Sequence, residues 1–248
     1  MKYFLEELSF DTEILERKTA RLTIESQPGD ISQMTELIKT IVKDFRKREL
    51  EYVITRIKAD DFPTIHALES QGFNLVDGFI ALELKVDKSE PVSNIREGVI
   101  EDALILQEIA ALSFSQTRFY NDSQIKKYQA DKIYSEWIRN SILKKVADLV
   151  LVFVEKDKVY GFVTIKKNGN IPLIAVSKEK QGMGIGKLLI RAALNKLFEW
   201  DVKFSSIETQ MTNVAALRTY ISCGYKITDS FATFRWSSIS QDKVASQE

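Results

Sequence analysis

Hydrophobic residues recur along the chain with two different periods, which predicts a mixture of helices and strands. The segment "EDALILQEIAALSF" has apolar residues at Leu104, Ile105, Ile109 and Leu112, a spacing that is typical of an amphipathic helix. The apolar runs "DLVLVFVEK" and "KVYGFVTIKK" have the length of buried strands, and the polar residues between them predict a tight hairpin. The hydrophobic pattern therefore favours the α/β class.

The same pattern predicts further elements along the rest of the chain. We expect strands at "EYVITRIK", "IREGV", "NIPLIAVS", "FSSIETQM" and "YKITDSFATFRW", and helices at "IKKYQADKIYSEWIRNSILKK", from Ile185 to Trp200, and at "NVAALRTYISC". A polar stretch with a proline, Val86–Asn94, interrupts the pattern, so we place a domain boundary there. We predict an N-terminal half at 1–90, a second domain at 93–237 and a disordered polar tail at 238–248.

Two segments of the chain resemble each other, which suggests an internal repeat. "HALESQGFNLVDGFIALEL" (His66–Leu84) aligns with "RTYISCGYKITDSFATFRW" (Arg218–Trp236) without a gap, so that Gly72 matches Gly224. A predicted strand precedes each helix, which makes the shared unit strand–helix–strand. The first copy has no glycine-rich loop. We therefore expect the second half to carry the chemistry and the first half to be a degenerate partner.

Composition excludes several classes of function. The 248 residues carry 35 basic and 35 acidic side chains, and zero net charge argues against a broad surface for nucleic acid. The only cysteine, Cys223, and the only histidine, His66, exclude an internal disulfide and a Cys/His zinc site. The N-terminus lacks the apolar region of a signal peptide, and no apolar run reaches the roughly 20 residues of a membrane helix. We expect a cytoplasmic protein with no metal and no membrane partner.

The stretch "SKEKQGMGIGKLL" (Ser177–Leu189) places three glycines where a strand passes into a helix. N–H groups at a helix start lack intrahelical partners, and the helix dipole adds partial positive charge, so such a loop can bind phosphate. A dinucleotide fingerprint fits less well, because the spacing is G-x-G-x-G and five polar residues separate the strand from the first glycine. From this stretch alone, a structural loop without a ligand stays open.

With its flanking residues, this loop resembles motif A of the GCN5-related N-acetyltransferases (GNAT). The strand "LIAV", a polar spacer and "QGMGIGKLL" match that motif, and "NVAALRTYISCGY" matches the family's downstream Asn-x-x-Ala-x-x-x-Tyr-x-x-x-Gly-Phe pattern. The resemblance covers 95–236 and implies the GNAT fold, a mixed central sheet flanked by helices. It also implies that "LIAV" splays from "FSSIETQM" to admit the pantetheine arm of acetyl-CoA. The implied acetyl-CoA-binding residues are Ile174, Ala175, Val176, Gln181, Gly182, Met183, Gly184, Ile185, Gly186, Lys187 and Asn213.

The resemblance also implies catalytic roles. The Val176 N–H would stabilise the oxyanion, and Tyr220, which matches the motif tyrosine, would protonate the departing thiolate. A core position is the alternative for Tyr220, but its counterpart in the first copy is Leu68, and packing alone needs no hydroxyl. No obvious base is present. Asp77 and Glu208 are candidates to relay the amine proton, and the resemblance favours Asp77.

Several segments resemble, more narrowly, GNAT enzymes that acetylate nucleotide-linked amino sugars: "ETQMTNVAALRTYISCG", "SFSQTRFYND", "IYSEWIRNSI" and "GFNLVDG". This resemblance implies that the acceptor is the 4-amino group of a dTDP-linked 4-amino-4,6-dideoxy sugar for surface-polysaccharide synthesis. Arg118 would meet a phosphate, and Tyr134 or Trp137 would stack on sugar or base, with helix packing as the alternative for both aromatic residues. Another amine (a peptide N-terminus, an antibiotic or a polyamine), a non-catalytic acetyl-CoA-binding module and a homodimer stay open.

Overall fold

The computed structural model describes residues 2–25, 30–114 and 117–239. The strands are β1 Lys2–Glu7, β2 Thr19–Glu25, β3 Tyr52–Lys58, β4 Asn74–Lys85, β5 Ile95–Glu97, β6 Leu149–Glu155, β7 Lys158–Ile165, β8 Asn170–Ile171, β9 Ile174–Val176, β10 Phe204–Gln210 and β11 Lys226–Ser237. The helices are α1 Ser9–Leu15, α2 Ile31–Lys47, α3 Phe62–Ser70, α4 Ala103–Ser113, α5 Arg118–Asn121, α6 Lys127–Ile142, α7 Ile185–Glu199 and α8 Val214–Ser222. None of these described helices is long and apolar enough to cross a membrane. Most of the tail predicted to be disordered, from 240 onward, lies outside the described residues.

Two compact units divide the chain, and each is built from separate segments. Unit 1 contains Met1–Phe79, Arg118–Gln129 and Ser230–Glu248, and unit 2 contains Ile80–Thr117 and Ala130–Asp229. The long strands β4 and β11 each run from one unit into the other. These units are therefore not separated by the single domain boundary predicted at 86–94. The assignment of 1–90 as a degenerate half and of 93–237 as the catalytic domain stays a prediction.

Unit 1 has a sheet with two helices on one face. Its strands lie in the order β1-β2-β3-β11, with β2 parallel to β3 and the other two pairs antiparallel. The buried residues of α2 recur at helical spacing. This segment therefore forms an amphipathic helix whose apolar face packs against the sheet. The core joins residues of α2, α3 and the sheet, among them Met34, Ile38, Phe45, Leu68, Val53 and Trp236.

Unit 2 contains a four-stranded antiparallel sheet, β5-β6-β7-β9, with helices on both faces. Alternate residues of β6 point to opposite faces: Leu149 and Leu151 pack with α7, whereas Val150 and Val152 pack with α4 and α6. The predicted helix α4 is present, but Leu104 is 74% exposed. Its buried stripe is Leu106, Ile109 and Ala110. The second group of strands in unit 2 has the order β11-β4-β10-β8.

The repeat predicted from the sequence is present in the secondary structure. Strand β3, helix α3 and strand β4 correspond to β10, α8 and β11, and equivalent residues are 152 positions apart throughout, as for Tyr52 and Phe204. The helix caps also agree. Asp61 and Asn213 both have φ −84° and ψ 67°, and the side chain of each accepts a hydrogen bond from the backbone N–H three residues later.

The last strand of each copy joins the sheet that contains the first strand of the other copy. In unit 1, β11 pairs antiparallel with β3, and in unit 2, β4 neighbours β10. The flanking hydrogen bonds are equivalent: Ser238 N donates to Glu51 O at 3.0 Å in unit 1, and Val86 N donates to Lys203 O at 2.9 Å in unit 2. The two copies have thus exchanged their last strands.

Candidate active site

The chain changes sheets just before the glycine loop. Strand β8 pairs in parallel with β10 over two residues, whereas β9 pairs with β7 and forms the edge of the four-stranded sheet. Pro172 lies between β8 and β9, and because proline has no N–H it interrupts the ladder. The prediction of one continuous strand, "NIPLIAVS", is therefore wrong. The break separates β9 from β10 in the way that the resemblance implied.

The backbone groups of β9 point alternately toward β7 and toward the open edge. Leu173 O and Ser177 N bond to β7 at 2.8 and 2.7 Å. Because bonded and non-bonded pairs alternate in an antiparallel ladder, Ala175 also bonds to β7. The N–H groups of Ile174 and Val176 therefore point away from β7, along the open edge.

The glycine loop has a backbone that glycine adopts readily and other residues do not. Gly182 has φ 77°, and Gly184, the N-cap of α7, has φ 82°. A Cβ at either position would have no atom within 4 Å, so the space in front of the loop is open. Ile185 buries its side chain in the core, and only its backbone faces the loop. Gln181 Nε2 donates to Val176 O at 3.1 Å and ties the loop to β9.

The remaining residues around the loop are exposed, charged or closely packed. Met183 and Lys187 are exposed, and a Cβ at Gly186 would lie 3.6 Å from Thr219 of α8, so glycine lets α7 and α8 approach closely. Lys180 pairs with Glu155 and lies 5.0 Å from the centroid of the Tyr160 ring. The hydrogen bond from Lys180 lowers the pKa of the Glu155 carboxyl. The sequence analysis missed this pair, because its members are distant along the chain.

Tyr220 lies on α8 in the core that also contains the buried face of α7. It is 5% exposed, and its ring centroid is 6.2 Å from that of Tyr225. Burial is the main cause that raises the pKa of Tyr220 well above 10. The phenol is therefore protonated at neutral pH. The ring is a core element, and the role of its hydroxyl as an acid stays a prediction.

The ends of α8 are fixed by residues that the sequence analysis considered. Asn213 caps the helix, because its side-chain oxygen accepts a hydrogen bond from Ala216 N at 3.1 Å. Cys223 is half-buried, and burial is the main cause that raises the pKa of its thiol. A thiol that resists ionisation is a poor nucleophile. Glu208, the alternative base, is exposed on β10.

Asp77 and Arg118 are brought together in unit 1. The Asp77 carboxylate accepts hydrogen bonds from Gly78 N at 2.9 Å and from Arg118 N at 3.0 Å. The Arg118 side chain is 13% exposed, and its Nη2 donates to Asp11 Oδ2 at 3.4 Å. Its guanidinium carbon lies 3.8 Å from the centroid of the Phe119 ring, and its Nη1 is buried without a hydrogen-bond partner. Nothing in this arrangement tests their predicted roles, which stay predictions.

The two aromatic residues predicted to contact the acceptor differ in exposure. Tyr134 is 3% exposed, stacks on Phe114 with ring centroids 5.0 Å apart, and bonds to Thr117 Oγ1 at 2.7 Å. Trp137 is half-buried, and its ring meets that of Tyr134 edge-on at 5.6 Å. Packing therefore accounts for the Tyr134 ring, and a contact with the acceptor stays a prediction for both residues.

Comparison with protein families agrees with this geometry. The sequence model described as "Acetyltransferase (GNAT) family" matches residues 111–225, a range that includes β9, the glycine loop and Tyr220. This match assigns residues 111–225 to the GNAT acetyltransferase family. Members of this family use acyl-CoA donors, and this GNAT chain is an N-acetyltransferase.

Two curated proteins resemble this GNAT chain. One is a dTDP-fucosamine acetyltransferase from Escherichia coli O6:H1, which is 28% identical over 188 residues and covers 71% of this chain and 77% of its own length. The other is the spore coat polysaccharide biosynthesis protein SpsD from Bacillus subtilis strain 168, which is 22% identical over 236 residues and covers 91% of this chain and 80% of its own length.

Solved structures agree with the GNAT fold. A GCN5-related N-acetyltransferase from Sphaerobacter thermophilus has a TM-score of 0.63 at 13% identity and covers 95% of this chain and 76% of its own. A tandem GNAT protein from the clavulanic acid biosynthesis pathway has a TM-score of 0.58 at 13% identity and covers 90% of this chain and 76% of its own. These similarities confirm the predicted α/β GNAT fold with a degenerate GNAT-like N-terminal half.

One conspicuous residue of the GNAT chain was missed from the sequence. Arg56 on β3 is exposed, and its guanidinium carbon lies 4.2 Å from the centroid of the Phe79 ring and 5.9 Å from that of Phe231. The local sequence does not mark an exposed arginine on a strand as a candidate site residue. The repeat would have revealed it, because Arg56 and Glu208 occupy equivalent positions 152 residues apart.

Proposed function

We propose that this GNAT enzyme transfers the acetyl group of acetyl-CoA directly to the 4-amino group of a dTDP-linked 4-amino-4,6-dideoxy sugar, for surface-polysaccharide synthesis. The open edge of β9 beside the glycine loop is the observation that carries the transfer, since it directs the Val176 N–H outward. The names of the two curated relatives, one for dTDP-fucosamine and one for a coat polysaccharide, support the sugar-nucleotide acceptor.

The residues of β9 and the loop fit such a donor. Acetyl-CoA supplies the activated acetyl thioester. The space in front of Gly182 and Gly184 would accept the pyrophosphate, and the N–H groups at the start of α7 would bond to it. The Ile174 backbone would bond to the pantetheine amides. The Val176 N–H would donate to the carbonyl oxygen as charge develops there, and a preorganised donor of this kind is worth about 3 kcal/mol.

Tyr220 is assigned the proton that the departing sulfur needs. As the amine nitrogen forms its bond to the carbonyl carbon, the carbon–sulfur bond breaks, and the Tyr220 hydroxyl donates its proton to the thiolate. Solvent then returns a proton to the phenolate. Burial keeps the phenol protonated at neutral pH. The raised pKa of Tyr220 also makes proton transfer to a thiolate more uphill, because a thiol has a pKa of only about 8.5. Such proton donation typically contributes about 10²–10⁴-fold in rate.

Asp77 is assigned the proton that the attacking amine loses. Its carboxylate is fixed by two backbone N–H donors, from Gly78 and Arg118, so its orientation does not depend on a mobile side chain. Arg118 itself is assigned to a phosphate of the acceptor, and Trp137 to its sugar or base. These three assignments are supported by three separate segments that resemble the sugar-nucleotide enzymes: "GFNLVDG" for Asp77, "SFSQTRFYND" for Arg118 and "IYSEWIRNSI" for Trp137.

A thiol-release assay on the full chain tests the proposal. The panel contains dTDP- and UDP-linked 4-amino sugars, the same amino sugars without a nucleotide, a peptide N-terminus and a polyamine. We expect release to be fastest with a dTDP-linked sugar and to fall sharply in Tyr220→Phe. Release with a peptide or polyamine, but with none of the nucleotide-linked sugars, would contradict the proposed acceptor.

A further inference from the structure

The unit 1 sheet has one apolar face and one polar face. Residues directly opposite each other in an antiparallel ladder point to the same side. The register of β3 with β11 therefore places these residues on one side: Tyr52, Ile54, Arg56, Lys58, Phe231, Thr233 and Arg235. The other side, with Val53 and Phe234, packs into the core with α2 and α3. The charged residues on the first side are Arg56, Lys58 and Arg235.

An internal network occupies one part of this polar face. Asp122 accepts hydrogen bonds from the Tyr52 hydroxyl at 2.8 Å and from Arg235 Nε at 3.2 Å, and all three side chains are buried. Burial, together with the charge of Asp122, raises the pKa of Tyr52, whereas the charge of Arg118 lowers it. The network holds Arg235 in the fold, and Asp122 N donates to Arg118 O at 2.9 Å, so Arg118 is one turn away from the network along the chain.

Arg56 and Arg118 are each held against an aromatic ring. The guanidinium carbon of Arg56 lies 4.2 Å from the Phe79 centroid, and that of Arg118 lies 3.8 Å from the Phe119 centroid. A guanidinium held over a ring face is restrained in position, and its N–H donors form a rigid planar fork. Such an arginine is prepared for a bidentate contact with a carboxylate or a phosphate.

The two arginines are connected through one strand. Asp77 and Phe79 are two residues apart on β4 and point to the same side, Phe79 contacts Arg56, and Asp77 accepts from Arg118 N. Two polar atoms here are buried without a hydrogen-bond partner: Arg118 Nη1 and Thr233 Oγ1. Thr233 is 4% exposed and lies directly opposite Arg56. Buried polar atoms are nearly always bonded, so each of these two groups could donate to a further acceptor.

We infer that Arg56 and Arg118 together hold the diphosphate of the nucleotide-linked acceptor, with Thr233 as an additional donor. This inference rests on the proposed function and adds Arg56 and Thr233 to it. A diphosphate fits better than a single carboxylate, because two separately held planar cations match two phosphoryl groups. Asp77 contacts Arg118 directly and is two residues from Phe79, which contacts Arg56, so the charged linkage of the acceptor would lie next to the proposed base.

The test uses the full chain and two kinds of measurement. Calorimetry titrates dTDP, UDP and inorganic pyrophosphate into the wild type, Arg56→Gln, Arg56→Lys and Arg21→Gln. Arg21 is a matched control, because it is an exposed arginine of unit 1 that pairs with Glu6 at 3.2 Å. We expect Arg56→Gln to weaken dTDP binding about tenfold or more, Arg56→Lys to weaken it less, and Arg21→Gln to change nothing. Acetyl-CoA affinity should be unchanged in every variant, which also shows that the variants fold.

Steady-state kinetics separates this inference from the proposed function. Arg56→Gln should raise KM for the dTDP-linked amino sugar and leave KM for the same sugar without a nucleotide unchanged. If dTDP binding depends on Arg56 but no nucleotide sugar is acetylated, the diphosphate site stands and the proposed acceptor fails. If the sugar is acetylated with an unchanged KM in Arg56→Gln, or if the wild type binds none of the three probes, the diphosphate site is refuted.

Discussion

Helices α2 and α7, which precede the two copies of the repeat and end 152 residues apart at Lys47 and Glu199, begin in opposite ways. Helix α2 follows Asp30, whose carboxylate accepts a hydrogen bond from Gln33 N at 2.9 Å, whereas α7 follows Gly184, which has no side chain. Both helices then end alike, with Glu49 and Asp201 at φ 56°. In the first copy, the Asp30 carboxylate satisfies the helix start, whereas Gly184 offers α7 no side-chain cap. The proposed function assigns an external phosphate to this start of α7.

The strands before these helices differ in the same sense. Strand β2 pairs in parallel with β3 over four residues, whereas β8 pairs with β10 over only two before Pro172 redirects the chain. Strands β2 and β3 therefore stay paired in the first copy, whereas in the second copy β9 leaves the sheet of β10 and pairs with β7. The proposed slot for pantetheine needs that separation, so Pro172 and a helix start without a side-chain cap are two features that distinguish the second copy from the first.

The largest expected effect comes from separating the copies. A fragment of 93–248 keeps the glycine loop but lacks β4, which lies between β11 and β10 in unit 2. The sheet would lose an internal strand, so we expect the fragment to aggregate or to show no cooperative melt by circular dichroism. Co-expression with 1–92 should restore a soluble protein that binds acetyl-CoA, since it returns the exchanged strand. A monomeric, cooperatively melting fragment with native acetyl-CoA affinity would show that the exchange is dispensable.

The next largest effect concerns the helix starts. Gly184→Asp puts a carboxylate where the pyrophosphate is proposed to lie, and it forces a non-glycine residue to φ 82°. We expect calorimetry to show an acetyl-CoA affinity lowered by about a hundredfold or more, with the circular dichroism spectrum retained. The equivalent residue in the first copy is Ser32, which is exposed at the start of α2. Ser32→Asp should leave the affinity unchanged, and a comparable loss in this control would move the donor site away from α7.

A smaller effect is expected at Tyr220, where the first copy has a leucine. Tyr220→Phe removes the proposed acid and keeps the ring that Leu68 replaces in the first copy, so kcat should fall at least about tenfold with acetyl-CoA affinity unchanged. Tyr225→Phe is the control, since it removes the same atom from the neighbouring ring and should keep kcat. If kcat of Tyr220→Phe stays within about twofold while the melting temperature falls, Tyr220 is only a core residue.

Local sequence patterns were enough to predict the elements of the repeat. Residues 152 apart share periodicity and capping chemistry, so β10, α8 and β11 could each be predicted from their own segments. The exchange of last strands did not follow, because the sheet that a strand joins depends on distant pairing. For the same reason Pro172 was not recognised as a break between two sheets. Arg118 was found through a resemblance, whereas Arg56 became visible only when its contact with Phe79 placed it on a polar face.

The smallest expected effects come from replacing two core residues of the second copy by apolar residues like those at the equivalent positions of the first copy. Ser205 Oγ and the Tyr225 hydroxyl lie 2.6 Å apart in the second copy, where the first copy has Val53 and Phe73. Ser205→Val leaves a buried hydroxyl without its partner and should lower the free energy of unfolding by about 1–3 kcal/mol. Adding Tyr225→Phe should recover most of that loss, because both partners are then apolar. A urea-unfolding double-mutant cycle measures the coupling, and additive losses would show that the hydrogen bond contributes little.

The same double variant should lose part of the alkaline sensitivity of the protein. Burial is the main cause that raises the pKa of Tyr225 from 10 to about 12. Between these values the unfolded chain releases the proton and the native protein keeps it, so stability falls as pH rises through this window. The whole interval is worth at most about 2–3 kcal/mol, at 1.36 kcal/mol for each pH unit. Ser205→Val with Tyr225→Phe should therefore show a shallower fall in unfolding free energy between pH 10 and 12 than the wild type. An identical slope in both proteins would mean that Tyr225 keeps an ordinary pKa in the folded state.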